Sequence, residues 1–381
     1  PEFLERRYNP QSRTILSVIS LVSYVLTKVA VTVYAGGLVF QQVFGIKELW
    51  GIDFFWIAAI GLVVLTALYT IFGGMKSVLY TSVLQTPILL LGSLIILVLG
   101  FKELGGWDEM MRVCGAVTVN DYGDTMTNLI RSNDDANFPW LGALIGSAII
   151  GFWYWCTDQF IVQRVLSGKN EMEARRGTIF GAYLKLLPVF LFLIPGMIAF
   201  ALHQKYIGAG GEGFLPMLEN GTANADAAFP TLVAKLLPAG VKGLVVCGIL
   251  AALMSSLASL FNSSAMLFTI DFYKRFRPQT SEKKLVGIGQ VATVVIVILG
   301  ILWIPIMRSV GDVLYTYLQD VQSVLAPGIA AAFLLGICWK RTSAQGGMWG
   351  LISGMVIGLT RLGAKVYYSN AGEVADSTFK Y

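Results

Sequence analysis

The sequence predicts an all-α polytopic membrane protein, and three observations carry that expectation. Of 381 residues, 55% are hydrophobic and 13% charged, against about a quarter charged in ordinary soluble domains. The mean hydropathy of +0.67 demands an apolar solvent. Apolar runs recur at about 14–45, 54–73, 78–101, 139–165, 177–202, 240–270, 285–307, 313–339 and 346–364. Each is long enough to cross about 30 Å of hydrocarbon as a helix. None shows the every-second-residue alternation of a barrel strand, and in lipid a segment must satisfy its own backbone groups, so all nine read as helices.

Taken in order, the runs are punctuated by basic residues. Arg6, Arg7 and Arg13 precede the first, Lys76 lies between the second and third, and Arg164, Lys169, Arg175 and Arg176 follow the fourth. Lys274, Arg275, Arg277, Lys283 and Lys284 follow the sixth, and Lys340 and Arg341 the eighth. With simple alternation these groups share the inner side, as expected of a multi-pass protein of the cell (plasma) membrane. The loops 102–138 and 203–239 then fall outside. The whole reads as a single membrane domain over 1–366 with 367–381 as a polar tail or loop. The opening Pro1, without an initiator Met, suggests a start inside a longer protein. Asn220-Gly221-Thr222 matches a glycosylation sequon, a pattern common by chance.

In the last run Gly346, Gly350, Gly354 and Gly358 recur every fourth residue, along one helix face, which predicts close packing on another helix. Gly142 and Gly146 form a second such pair. The stretch Gly208–Gly213 matches GxGxxG formally but follows an apolar helix and opens no βαβ unit, so it is no dinucleotide site.

Several function classes are disfavoured by composition. The net charge of +5 is scattered among short loops, unlike the clustered basic face of a nucleic-acid binder. Cys114, Cys156, Cys247 and Cys338 are far apart, and His203 is the single histidine. Neither a CxxC metal site, a disulfide framework nor histidine-based enzymology is readable. The expectation is no enzyme and no organic cofactor.

Polar groups at membrane depth are costly and therefore candidates for function. Lys185 lies about eight residues into the fifth run, with Pro188 and Pro195 beyond it to disturb the helix. It either faces a solute pathway or snorkels to the inner interface. Lys28 in the first run poses the same choice. Trp153, Tyr154, Trp155, Asp158, Gln159 and Gln163 cluster near the inner end of the fourth run, which suits either a sugar ring stacked on aromatics or an interfacial belt. Ala252, Ser255 and Ser256 share one helix face, offering either hard oxygens for a small cation or merely small residues for packing. Gln319, Asp320 and Gln322 precede Pro327-Gly328, where a helix break lining a cavity is expected.

With these residues in place, the chain resembles the sodium/solute symporter family on its sodium/glucose cotransporter branch. The likeness is carried by PEFLERRYNPQSR (1–13), IFGGMKSVLYTSVLQ (71–85), WYWCTDQFIVQRVLSGKN (153–170), GAYLKLLP (181–188), GVKGL (240–244), MSSLASLFNSSAMLFTIDFY (254–273) and LQDVQSVLAPG (318–328). It implies a five-plus-five inverted-repeat transporter fold with broken central helices and a site near the midplane. It also implies that the first two core helices precede Pro1 and are absent from this chain.

Residue by residue, the resemblance implies a sodium site at Ala252, Ser255 and Ser256, and a sugar site of Lys185, Gln319, Tyr154 and, less directly, Trp155. Ser82 stands where an acidic residue commonly follows the threonine of the family's GG-x(5)-YTD-x-x-Q pattern, and Gly151 stands where a bacterial member has a sugar-contacting Asn. The implied activity is sodium-coupled symport of a glucose- or galactose-like monosaccharide by alternating access. The partners are then a sugar, sodium as coupling ion, and the bilayer. Inositol, an acidic sugar or a carboxylate as solute, or a non-transporting sugar sensor of the same fold, are the alternatives.

Overall fold

The computed structural model of the protein describes residues 1–370 other than 136–137, 219–220 and 311–312, and omits the side chains of 69, 71–78, 81, 84, 308–310 and 365–370. Asn220 of the sequon and residues 371–381 of the expected tail lie outside the described residues.

The fold is helical almost throughout. α1 (Glu2–Arg7) leads into α2 (Pro10–Ser23), which begins at Asn9, whose side chain accepts the Ser12 N–H at 2.7 Å, with Pro10 at the first helical position. A π-helical turn, Tyr24–Val29, joins α2 to α3 (Ala30–Phe44). A two-residue hairpin, β1 (Glu48–Leu49) with β2 (Ile52–Asp53), then leads to α4 (Phe54–Leu104), started by the Asp53 cap and stopped by the left-handed Gly105. The two runs 54–73 and 78–101 therefore share one continuous helix instead of forming two. No proline separates them, and glycine alone weakens a helix by only about 1 kcal/mol.

Downstream come α5 (Trp107–Gly115), α6 (Trp140–Phe152), α7 (Gln159–Leu166), α8 (Glu171–Leu184), α9 (Ile194–Gly208), α10 (Ala228–Leu236) and α11 (Ala239–Met266). The chain continues through α12 (Lys274–Phe276), α13 (Glu282–Val310), α14 (Leu314–Cys338) and α15 (Ala344–Asn370). Among the described residues seven helical stretches are long and apolar enough to cross a membrane: Pro10–Phe44, Gln85–Leu104, Trp140–Thr157, Glu171–Gly208, Ala239–Phe276, Glu282–Met307 and Leu314–Cys338.

The chain divides into two compact units. The first comprises Pro1–Val31, Asn133–Ser167 and Ser259 onward. In it α14 and α15 pack along the glycine ladder. A Cβ on Gly354 would meet the Gly328 Cα at 2.8 Å, and one on Gly358 would overlap the Val324 carbonyl. The ladder is thus a close-packing seam in its second half. Gly350 and Gly146 face open space among the described residues, so the Gly142/Gly146 pair does not form the second seam expected of it. The break expected at Pro327-Gly328 is also absent, since α14 runs unbroken through Pro327. Proline removes one backbone bond at a cost of about 3 kcal/mol, yet the helix continues, with Gly328 packed against the α15 backbone.

Arg7 and Tyr8 fasten the chain's start to the end of α14. The Arg7 guanidinium donates to the carbonyls of Gly336 (2.7 Å) and Trp339 (2.8 Å), and the Tyr8 hydroxyl to Ala332 (2.7 Å). The two arginine bonds satisfy carbonyls that a helix C-terminus leaves orphaned.

The second unit comprises Thr32–Ser132 and Gly168–Ala258. Its core gathers Ile96 and Leu104 of α4, Met110 and Cys114 of α5, Ile198 and Leu202 of α9 and Leu232 of α10. The two loops read as external thus carry short amphipathic helices of their own. Met110 and Cys114, at i and i+4, bury α5 onto this core. Burial pushes the Cys114 thiol up, whereas the other three free cysteines are exposed. His203 is buried as well, accepting the Leu215 N–H at 3.0 Å through Nδ1, with Gly213 lying against its ring.

Candidate functional site

In the second unit α4 and α11 run antiparallel at close range. A Cβ on Gly92 would overlap a Val245 methyl and one on Gly248 would meet Ile88 at 2.9 Å, so the backbones approach as only small residues permit. Farther along this seam the approach brings the Ser82 and Ser255 hydroxyls to 2.7 Å, with Ser255 buried. Ala252 and Ser256, both half-buried, complete the same face of α11. The position expected to be acidic in a symporter therefore lies against a residue expected to hold sodium. Hydroxyl and carbonyl oxygens of this kind are neutral, hard donors, the chemistry a weakly bound alkali cation requires.

In the first unit the fourth apolar run is broken. α6 ends at Phe152, a π-helical turn covers Trp153–Thr157, and Asp158 has extended backbone before α7 starts. Asp158 is 5% exposed and caps the new helix by accepting the Phe160 N–H at 3.1 Å. Its Oδ1 also accepts the Tyr24 hydroxyl at 2.8 Å, and its Oδ2 receives the Lys28 ammonium. The Lys28 Nζ stands over three rings, 4.8 Å from the centre of Tyr24, 5.2 Å from Tyr154 and 4.3 Å from Phe160.

Tyr154 is half-buried and meets Trp155 edge to face at 5.2 Å, while Trp155 itself is 49% exposed. Along α7, Gln163 donates to the Ser259 carbonyl (3.1 Å) and to the Ser263 hydroxyl (2.5 Å). Asp158 and Gln163 thus have partners inside the protein, which an interfacial belt does not require.

The remaining candidates are placed separately. Lys185 belongs to the second unit and caps the end of α8, exposed, in the irregular stretch before the π-helical turn Val189–Leu193. The expected disturbance by Pro188 is present there. Gln319, in the first unit, is half-buried on α14, donates to the Tyr315 hydroxyl at 3.0 Å, and α14 packs against the turn bearing Tyr154. Nearby, the indole of Trp303 on α13 donates to Tyr317 of α14, whose hydroxyl donates to the Leu26 carbonyl at 2.7 Å.

Residues 1–354 match the sodium:solute symporter family. The chain belongs to that family. It is 38% identical over 374 residues to the human sodium/myo-inositol cotransporter 2, covering 95% of this chain and 54% of that one. It is 37% identical to the mouse sodium/glucose cotransporter 4 (97% and 55% covered) and 39% identical to a cattle sodium/mannose cotransporter (95% and 62% covered). The symporter-family chain thus spans a little over half the length of the curated relatives it matches. A substrate-bound, outward-open structure of a sodium-coupled sialic acid symporter superposes with a TM-score of 0.63, covering 95% of this chain and 76% of that one at 22% identity. The expected helical symporter fold and multi-pass membrane character are borne out.

Local sequence patterns mark Lys28 and Asp158 as ionisable groups in apolar runs but do not pair them, and they give no sign of Tyr24. Partners 130 residues apart leave no periodic trace. The available signal is the pairwise cost of two opposite charges in lipid.

Proposed function

We propose that this chain forms the greater part of a sodium-coupled symporter for a neutral hexose of the glucose or galactose type, working by alternating access. The observation that carries the reading is the family match over residues 1–354 together with relatives named for sodium-coupled glucose, mannose and myo-inositol transport. Sodium binds at the Ala252 carbonyl and the Ser255 and Ser256 hydroxyls, beside Ser82. The solute ring stacks on Tyr154, flanked by Trp155, while Gln319 donates to its hydroxyls; Lys185 is proposed separately as a solute contact. Sodium favours the conformation that accepts solute, which couples the two affinities reciprocally. The membrane potential contributes about 2.3 kcal/mol per charge per 100 mV.

Myo-inositol is the second reading, since the inositol-named and glucose-named relatives are equally similar, at 38% and 37%. Equilibrium binding of labelled glucose, galactose, mannose and myo-inositol to the purified full-length protein separates them. Saturable binding of one solute in sodium and its loss in potassium is the expected result. Lys185→Ala then weakens that solute about tenfold, the equivalent of one lost charge-assisted hydrogen bond, with sodium dependence intact. Equal binding in sodium and potassium contradicts the reading.

A further inference from the structure

We propose that the Lys28–Asp158 pair positions the solute-binding aromatic: it holds the helix break at residue 158 and fixes the face that Tyr154 presents. The inference rests on the reading of Tyr154 as a solute contact. Asp158 is fully engaged, since one oxygen takes the Tyr24 hydroxyl and the Phe160 N–H and the other takes Lys28. The carboxylate, four residues beyond Tyr154, thereby joins the π-helical turn after α2 to the start of α7. On its other side the ammonium faces the Tyr154 ring at 5.2 Å. A cation held over a ring favours the ring's face over its edge, so the orientation of Tyr154 follows from where Lys28 is anchored.

Energetics argue against a purely stabilising role. The side chains of Lys28 and Asp158 are 10% and 3% exposed. A buried pair of this kind is commonly replaceable by neutral residues of similar shape without loss of stability, whereas removing one partner strands a charge. Conformational definition is then what such a pair contributes. Here the defined object is a turn that carries Trp153, Tyr154 and Trp155 in sequence.

The test compares Lys28→Met, Asp158→Asn, their combination and Lys28→Arg in the full-length protein. Asn keeps the cap and the acceptor for Tyr24, and Met keeps the stem length. Each single neutral variant is expected to lower thermal stability, and the combination to restore it. The combined variant nonetheless requires about fivefold more solute for half-saturation, the worth of a partly buried cation–ring contact, at an unchanged sodium requirement. Lys28→Arg retains the charge and the ring contact and keeps wild-type affinity.

A second readout needs no solute. With Cys247 and Cys338 replaced by Ser, maleimide modification of the exposed Cys156 reports the turn directly. The combined variant is expected to react about threefold faster, as a loosened segment does. Wild-type affinity and labelling rate in the combined variant, or Lys28→Arg behaving like Lys28→Met, overturns the proposal. If the wild-type protein binds no tested solute, the symporter reading fails while the labelling rates still decide this one.

Discussion

Ser256→Ala is expected to abolish sodium-dependent solute binding while leaving the protein folded. Ser256 sits half-buried on α11 one position from Ser255 and four from Ala252, so its hydroxyl is replaceable by hydrogen without disturbing the close contact of Gly92 with Val245 or Gly248 with Ile88. Ala is also the better helix former. A loss of one neutral oxygen ligand removes a large share of the affinity for an ion that is held by few donors. Sodium titration of solute binding checks this: half-saturation moves beyond the accessible range, and an unaltered sodium curve refutes the assigned site. Ser82→Asp supplies the converse. A carboxylate placed beside the Ser255 hydroxyl, now 2.7 Å from that of Ser82, is expected to tighten sodium about tenfold through charge attraction in a partly buried setting.

Gly358→Val is the most damaging packing change the structure identifies. Its Cβ would overlap both the Val324 carbonyl oxygen and a Val324 methyl, and backbone cannot yield as a flexible side chain does. Overpacking costs about 1–3 kcal/mol where neighbours adjust, and here α14 must part from α15. The expected result is a lower melting temperature in detergent and poor yield. Gly350→Ala, two turns earlier on the same face but in open space, is expected to be neutral or stabilising by up to about 1 kcal/mol. Equal effects at the two positions contradict the seam.

Much of this architecture is legible in the sequence, because lipid imposes a simple rule: apolar runs of sufficient length become helices. The four-residue glycine spacing likewise announces the α14–α15 seam, although of these four glycines only Gly354 and Gly358 would drive an added Cβ into the α14 backbone. Where local rules compete with tertiary packing, legibility fails. Pro327 reads as a break, but its helix continues through it, with Gly328 packed against the α15 backbone. The join of 54–73 to 78–101 is hidden because a basic residue between apolar runs resembles a loop. α5 and α10 are hidden in the outer loops, being too short to register as spans yet amphipathic enough to bury Met110 and Leu232.

The candidate site divides along the same line. Ala252, Ser255 and Ser256 are identifiable because helical spacing puts them on one face, and Ser82 because it departs from a familiar pattern. Their mutual proximity comes only with the antiparallel pairing of α4 and α11. Asp158 has a local signal, a polar residue after an aromatic turn that opens a new helix, but its charge balance is supplied from a segment remote in the chain.

Sodium coupling is the account's central claim, and gradient-driven uptake tests it most directly. Full-length protein in potassium-loaded proteoliposomes is given an inward sodium gradient, and accumulation of the solute identified by binding is followed with and without an inside-negative potential. The account predicts accumulation above the external concentration, faster with the potential and absent when potassium replaces sodium outside. Equilibration of the solute at the same rate with or without sodium would contradict it.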